Sequence, residues 1–222
     1  CLLFFLHSMA NDTICKSYLL FFHYFLAITQ SVQNDDAGKG VLETLGNDNS
    51  RLLFIELDVT DEQAVVKAIE ATVNKFKNLH GIINCAGVGA AKKIVARNEA
   101  HDSDTFKFVL GVNLFGTFYC SAHGAAAMVK LRKREMELKE NDKATESKAL
   151  SRCIINVASL AGIEGQKGQV AYAASKGGVI GMTLPIARDL GRYDIRCVTI
   201  APGIMVIYPI LFKYYFQSHI SP

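Results

Sequence analysis

The chain has 222 residues, of which 50% are hydrophobic and 20% are charged. This composition is typical of one globular domain with a buried core. The net charge of +3 is too small to argue for a nucleic acid or a membrane surface as the partner. The six cysteines form no C-x-x-C pair and the six histidines form no H-x-x-x-H pair. We therefore predict free thiols and no metal site.

Residues 1–30 are mostly apolar and aromatic, residues 31–50 are polar and turn-rich, and no glycine precedes Gly38. The longest apolar run, at 18–28 with His23 inside it, is about half of the roughly 20 residues that a membrane span needs. A degraded signal peptide or anchor, a buried strand or helix, and sequence foreign to the fold are all open interpretations. Because the chain starts at Cys1 rather than at methionine, we also expect a fragment, an internal start or a defective gene model.

From residue 52 onward, strand-like and helix-like segments alternate. Short apolar runs predict strands at 52–57, 81–84, 153–157 and 195–200. Apolar residues at helical spacing predict helices at 61–76, 104–139 and 172–190. Thr60 is the candidate N-cap of the first helix. The alternation predicts an α/β fold with a Rossmann-like, doubly wound parallel sheet and helices on both faces.

One stretch of the sequence indicates chemistry. Tyr172 and Lys176 are four residues apart, so on a helix they share one face with Cβ atoms roughly 5–6 Å apart. An ammonium beside a phenol stabilises the phenolate, which lowers the pKa of the phenol and suits it to proton exchange with an alcohol or a carbonyl. Ser159 follows a predicted strand and therefore lies at the sheet edge where open α/β sheets bind ligands. A Y-x-x-x-K pair also occurs by chance on solvated helix faces, so the pair alone identifies no site.

Three other features each have two interpretations. Small residues at 85–89 directly follow a strand, and they form either a tight turn or a surface that a ligand approaches closely. Asn113 lies among apolar residues in a predicted helix, where it is either a satisfied core polar group or a functional one. The charged segment 130–148 is best interpreted as a solvated helix end and loop. Its basic residues, which could instead contact an acidic partner, are Lys130, Arg132, Lys133 and Arg134.

Taken together, these pieces resemble the short-chain dehydrogenase/reductase superfamily. The resemblance rests on five motifs in matching order: NCAG at 84–87, VNLFGTF at 112–118, Ser159 thirteen residues before Tyr172, YAASK at 172–176 and APG at 201–203. We therefore predict an unmatched apolar segment at 1–37, a partial Rossmann dehydrogenase domain at 38–203 and an unmatched apolar tail at 204–222.

The resemblance implies a catalytic group of Asn113, Ser159, Tyr172 and Lys176. Tyr172 would be the general acid/base, and Lys176 would lower its pKa and bind the nicotinamide ribose. Ser159 would hydrogen-bond the substrate oxygen and stabilise charge that develops on it. Asn113 would hold a helix bend and a water that relays protons to Lys176, and Gln166 would face the substrate.

The resemblance also implies NAD as the cofactor, which carries out the hydride chemistry. Its predicted contacts are Asp58, Val59, Asn84, Ala86, Gly87, Tyr172, Lys176, Pro202 and Gly203, with Asp58 and Val59 beside the adenine. The family's glycine-rich turn, which binds the pyrophosphate at a helix N-terminus, has no counterpart in residues 1–37. The acidic residue that selects NAD in this family would fall near Asp35 and Asp36. We therefore expect the sheet to lack its first strand–turn–helix unit and its last strand.

The predicted function is that of an NAD-dependent oxidoreductase that interconverts a secondary alcohol and a ketone. By resemblance, the substrate is a hydroxyacyl-CoA or a hydroxysteroid, the assembly is a homodimer or homotetramer, and the location is the mitochondrion. No arginine-rich transit peptide is visible, so a cytoplasmic location is the alternative. The alternative function is that of a non-catalytic truncated chain, or of a scaffold subunit of the mitochondrial tRNA-processing type.

Overall fold

The computed structural model describes residues 17–20, 26–31, 52–141 and 151–203. The predicted tail at 204–222, with the question of a last strand, lies outside these residues, as do Asp35 and Asp36. Within them, no helix is long and apolar enough to cross a membrane.

Eight strands and four α-helices form the described part of the chain. The strands are β1 (Ser17–Leu20), β2 (Leu26–Ser31), β3 (Leu52–Glu56), β4 (Gly81–Asn84), β5 (Val95–Ala96), β6 (Glu99–Ala100), β7 (Arg152–Val157) and β8 (Ile195–Ile200). The helices are α1 (Glu62–Phe76), α2 (Ser103–Leu110), α3 (Thr117–Asn141) and α4 (Val170–Leu190). Two short 3₁₀ turns occur at Leu160–Gly162 and Gly191–Tyr193. The four strands predicted from residue 52 onward are confirmed to within one residue at each end.

Six strands form one sheet in the order β3-β2-β1-β4-β7-β8. The pairs β2–β3, β4–β7 and β7–β8 are parallel, as the alternation of strands and helices predicts. The α/β doubly wound arrangement is therefore confirmed. The sheet is mixed in one detail, because β1 runs antiparallel to both of its neighbours, β2 and β4.

The reversed strand β1 lies between β2 and β4, in the apolar segment for which the sequence left a buried strand as one open interpretation. Only five residues separate Leu20 from Leu26, whereas a crossover between parallel strands needs about a dozen. A short connection of this kind suits antiparallel neighbours. Ser17, the first residue of β1, pairs with Ser31, the last residue of β2. The end of β1 therefore lies beside the start of β2, at the amino edge of the parallel strands.

The start of α1 corrects one prediction. Asp61, not Thr60, is the N-cap, and its carboxylate accepts hydrogen bonds from the backbone N–H groups of Gln63 (2.9 Å) and Ala64 (3.1 Å). The Thr60 hydroxyl donates instead to the Asp58 carboxylate at 2.8 Å. Two acidic side chains therefore define this turn, and the carboxylate nearer the helix takes the capping position.

The predicted single helix at 104–139 is interrupted in the structure. A π-helical segment, Gly111–Gly116, joins α2 to α3. A Cβ atom on Gly116 would lie 2.6 Å from Cγ2 of Val59, so glycine at 116 allows this segment to pack directly on Val59, three residues after the end of β3. The wider turn carries Asn113, and π-helical turns of this kind occur frequently at functional sites.

The core lies between the sheet and the helices that cover it. Val65 and Ile69 of α1, Ile82 of β4, Met128 of α3 and Ile154 of β7 are all at most 4% exposed. Burial of such side chains is the main contribution to stability in a domain of this size. The core holds the carboxyl ends of β4, β7 and β8 in fixed positions beside each other.

Candidate active site

The loops that follow β7 and β8 meet at the carboxyl edge of the sheet. Backbone hydrogen bonds join them: Ala158 N–H donates to the Ile200 carbonyl at 2.8 Å, and Leu160 N–H donates to the Pro202 carbonyl at 2.9 Å. Ser159 lies between these two bonds. The structure thus places predicted substrate and cofactor residues from two loops at the edge where open α/β sheets bind ligands.

Asn113 is fully buried, and its whole amide group is hydrogen-bonded. The Oδ1 atom accepts from Val88 N–H at 2.7 Å, and Nδ2 donates to the Val88 carbonyl and to the Ser175 hydroxyl, both at 2.9 Å. The Asn113 carbonyl accepts from the Thr117 hydroxyl at 2.8 Å. Asn113 therefore is a satisfied core polar group that also links the π-helical segment to the loop after β4 and to α4.

Lys176 is 4% exposed, which is rare for a lysine. Its Nζ donates to the Val157 carbonyl at 2.8 Å and lies 5.7 Å from the centroid of the Tyr172 ring. A Cβ atom on Gly87 would lie 3.3 Å from Nζ and 3.5 Å from Oδ1 of Asn113. The structure thus brings four of the predicted site residues together: Tyr172, Lys176, Asn113 and Gly87.

Ser159 is half-buried and extended, with φ −161° and ψ 153°. Its hydroxyl accepts a hydrogen bond from Ala161 N–H at 3.2 Å. A Cβ atom on Gly162 would lie 2.7 Å from the backbone nitrogen of Gly177, so glycine at 162 allows the Ser159 loop to pack directly on α4. The loop and the helix that carry the predicted catalytic residues are therefore in direct contact.

The pKa of the Cys85 thiol indicates how strongly the site around Lys176 is shielded from water. Burial raises the pKa of Cys85 to about 11, although the nearby Lys176 ammonium acts in the opposite direction. The thiol is therefore protonated at neutral pH and is a poor nucleophile. The surroundings of the Cys85 thiol beside Lys176 therefore act as an apolar environment.

Asn84 lies at the predicted strand end, but its side chain points into a buried network. Its Nδ2 donates to Oδ1 of Asn156 at 2.8 Å and to the Ser121 hydroxyl at 3.0 Å. Only the backbone of Asn84 is therefore available to line the edge of the sheet. Ala86, two residues further on, is also buried, at 8% exposure.

The other predicted contacts are spread over the rim of this edge. Val59 is buried against Gly116, and the exposed Asp58 carboxylate binds the backbone and hydroxyl of Thr60. Gln166 and Gly203 are exposed. The structure therefore does not join these rim residues to the cluster around Lys176.

Two groups of the cluster were missed by the sequence interpretation. The Ser175 hydroxyl and the Val157 carbonyl both contact predicted catalytic residues. The available signal for Ser175 was its position three residues after Tyr172, which places it on the same helix face. No local pattern marks a backbone carbonyl as the partner of a lysine.

The four basic residues at 130–134 differ in exposure: Lys130, Lys133 and Arg134 are exposed, whereas Arg132 is half-buried. Arg132 pairs with Asp194 at 3.1 Å and with Glu135 at 3.8 Å, and its side chain is 15% exposed.

No three His, Cys, Asp or Glu side chains of the described residues are grouped so that they could hold a metal ion.

Comparison with known proteins agrees with this geometry. A family model described as short chain dehydrogenase matches residues 26–207. The 3-hydroxyacyl-CoA dehydrogenases type-2 of Homo sapiens and Bos taurus are 40% and 42% identical over 172 and 153 residues, which is 77% and 68% of this chain and 60% and 54% of theirs. The trans-4-hydroxycyclohexanecarboxylate dehydrogenase of Sinomonas cyclohexanicum is 31% identical over 175 residues, which is 76% of this chain and 59% of that protein.

The chain thus spans slightly more than half the length of the curated relatives it matches. The matched range begins at β2 and includes every motif from 84 to 203. The domain limits predicted at residues 37 and 203 stay predictions. On the evidence of the family model and the identities, the chain belongs to the short-chain dehydrogenase family.

Proposed function

We propose that this chain is an oxidoreductase that interconverts a secondary alcohol and a ketone with NAD. The observation that supports the proposal is the buried cluster at the carboxyl edge, where Tyr172 and Lys176 lie together on α4 beside Asn113. Tyrosine and lysine in this arrangement suit proton transfer at an alcohol oxygen.

Each side chain has a distinct part in the proposed reaction. The Tyr172 phenol takes the proton from the alcohol oxygen or returns it to the ketone oxygen. The Lys176 ammonium stabilises the phenolate that forms, and the Ser159 hydroxyl hydrogen-bonds the same substrate oxygen. The cofactor, when bound, accepts or donates the hydride.

The residues present fit one half of a dinucleotide better than the other. Members of this family generally use NAD or NADP, and our proposal of NAD rests on the resemblance. Gly87, which leaves space beside Lys176, and the ammonium itself suit the nicotinamide ribose. For the pyrophosphate half, residues 1–37 contain no glycine and therefore no glycine-rich turn of the kind that the family uses. We therefore propose that the chain as given binds dinucleotide weakly.

The names of the relatives guide the proposed substrate. Two of the relatives above are 3-hydroxyacyl-CoA dehydrogenases, and the third acts on a hydroxycyclohexanecarboxylate. The chemistry common to these names is a hydroxyl group on carbon. We propose a 3-hydroxyacyl-CoA as the first substrate to test and a hydroxysteroid as the second. Mitochondrial location and a homo-oligomeric assembly stay predictions.

The test combines dinucleotide binding with turnover of a 3-hydroxyacyl-CoA. We expect NADH to bind with a dissociation constant well above the micromolar range, and turnover to require millimolar dinucleotide. The Tyr172→Phe variant should lose turnover by about 10²- to 10⁴-fold and keep the affinity of the parent for NADH. Unchanged turnover in this variant would refute the role of Tyr172. Absence of turnover in the parent at millimolar dinucleotide would favour the non-catalytic alternative.

A further inference from the structure

The Ser175 hydroxyl lies between two of the proposed catalytic residues. Ser175 is fully buried on α4. Its Oγ donates to the Tyr172 carbonyl at 2.7 Å and accepts from Nδ2 of Asn113 at 2.9 Å. One hydroxyl therefore connects the first turn of α4 to the π-helical segment.

The directions of these hydrogen bonds are fixed by the neighbouring backbone. Val88 N–H can only donate, so the Asn113 atom that it contacts must be the oxygen. The Asn113 nitrogen then points at Ser175 and donates to it. The single Ser175 proton is left for the Tyr172 carbonyl, which can only accept.

Removal of the Ser175 hydroxyl would affect both sides of this connection. One N–H of the Asn113 amide would lose its acceptor in a fully buried position, and such unsatisfied groups are unfavourable. The turn that carries Tyr172 and Lys176 would lose its side-chain bond to the π-helical segment. Reacting groups that are misplaced by about 1 Å can lose about 100-fold in rate.

We propose that Ser175 is a positioning residue that holds the helical turn 172–176 of α4, and with it the Tyr172 phenol and the Lys176 ammonium, against Asn113. The proposal rests on the proposed dehydrogenase function for its effect on rate. Its structural part, the fixing of the turn by the Ser175 hydroxyl, is independent of that function.

The test compares Ser175→Ala with Ser121→Ala in the full chain. Ser121 is a matched control, because it is a buried serine whose hydroxyl also contacts an asparagine amide, that of Asn84 at 3.0 Å. Ser175→Thr retains the hydroxyl and serves as the rescue variant. The readouts are kcat and KM for a 3-hydroxyacyl-CoA at millimolar NAD, and backbone hydrogen exchange of the peptide 170–178.

We expect Ser175→Ala to lower kcat by about 10- to 100-fold with KM within about threefold of the parent, and to exchange faster at 170–178. Ser121→Ala should match the parent in kcat and in exchange at 170–178, and Ser175→Thr should recover most of kcat. An equal loss of kcat in both alanine variants would overturn the proposal, since it would reflect general destabilisation.

The two proposals fail in different ways. If the parent has no turnover, the proposed function fails, and hydrogen exchange alone decides the role of Ser175. Faster exchange at 170–178 in Ser175→Ala but not in Ser121→Ala would then support the fixing of the turn. Parental exchange at 170–178 in Ser175→Ala would overturn it, whether or not the parent is active.

Discussion

Two buried polar clusters lie at opposite edges of the sheet, and they differ in what they contact. The carboxyl-edge cluster consists of Asn113, Ser175 and Lys176, which bind one another or the backbone of neighbouring loops. The amino-edge cluster consists of Arg152, Glu135 and Asn78.

Arg152, the first residue of β7, is 1% exposed. Its guanidinium donates to Glu135 at 2.7 Å, to Oδ1 of Asn78 at 2.9 Å and to the Leu79 carbonyl at 3.0 Å. Its charge is therefore neutralised by a carboxylate and its donors are used within the fold. Such a closed cluster stabilises the junction of β7 and α3.

The comparison teaches that burial and hydrogen bonding alone do not identify a functional cluster. Each cluster contains a buried cation, Lys176 or Arg152, and each is hydrogen-bonded. The carboxyl-edge cluster differs because its bonds fix loops and a helix turn that carry Ser159 and Tyr172. We therefore expect changes at the amino edge to alter stability, and changes at the carboxyl edge to alter turnover.

The largest expected effect is on stability, from Arg152→Met. This change leaves Glu135 and the Leu79 carbonyl without a buried cationic donor. We expect the free energy of unfolding to fall by about 3 kcal/mol, near the low end for breaking a buried ion pair, because Glu135 is partly exposed. Urea unfolding of the variant and the parent measures this difference in the free energy of unfolding. At a temperature where the variant is folded, its kcat should equal that of the parent, and a lower kcat would show that the two edges are coupled.

The second change, Gly87→Ala, acts at the carboxyl edge. The new Cβ would lie 3.3 Å from Nζ of Lys176, so the ammonium must shift by a few tenths of an ångström. We expect kcat to fall by about tenfold, which corresponds to about 1.4 kcal/mol. The matched control is Gly181→Ala on α4, where no described atom beyond the adjoining backbone of the helix lies within 4 Å of the added Cβ. The control should keep its turnover and gain about 0.5–1 kcal/mol of stability, and an equal loss of kcat in both variants would contradict the prediction.

The third change concerns the pH dependence of the amino-edge cluster. Burial disfavours the charged form of Glu135, but hydrogen bonding and attraction from Arg152 outweigh it and hold the pKa of Glu135 below its ordinary value. Its ionisation therefore stabilises the fold above the unfolded-state pKa of about 4.3, and this contribution is lost as the pH falls through the lower folded-state value.

Glu135→Gln should accordingly be less stable than the parent at pH 7, by about 1 kcal/mol. The difference should shrink as the pH falls below about 4.3. Urea unfolding at pH 7, 5 and 3, approximately, measures the two proteins side by side. A difference that stays constant over this range would show that Glu135 acts through packing and not through its charge.

The smallest expected effect is that of Cys85→Ala. The pKa of this thiol is raised to about 11, so it carries no charge at neutral pH and takes no part in the proposed proton transfer. We expect kcat to stay within about twofold of the parent, with a loss of stability of about 1 kcal/mol or less for the smaller buried side chain. A large fall in kcat would place Cys85 in the carboxyl-edge cluster.

Much of the fold could be predicted because its signals are local. Apolar runs marked β3, β4, β7 and β8, and helical periodicity marked the helices. The prediction failed where two local signals competed, as at Thr60 and Asp61, and where packing changed the helix, as at Gly116 against Val59. The direction of β1 followed from its short connection to β2, which becomes informative only when both strands are known.

The sequence by itself determined the chemistry of the candidate site. The spacing of Tyr172 and Lys176, and the order of motifs from 84 to 203, are fixed by covalent connectivity and helix geometry. Only the tertiary structure decided that Ser175 binds Asn113, that Lys176 binds the Val157 carbonyl, and that the Asn84 amide lies in a buried network. These bonds join residues 19 to 72 positions apart, and their partners are selected by the packing of the elements and not by any local pattern.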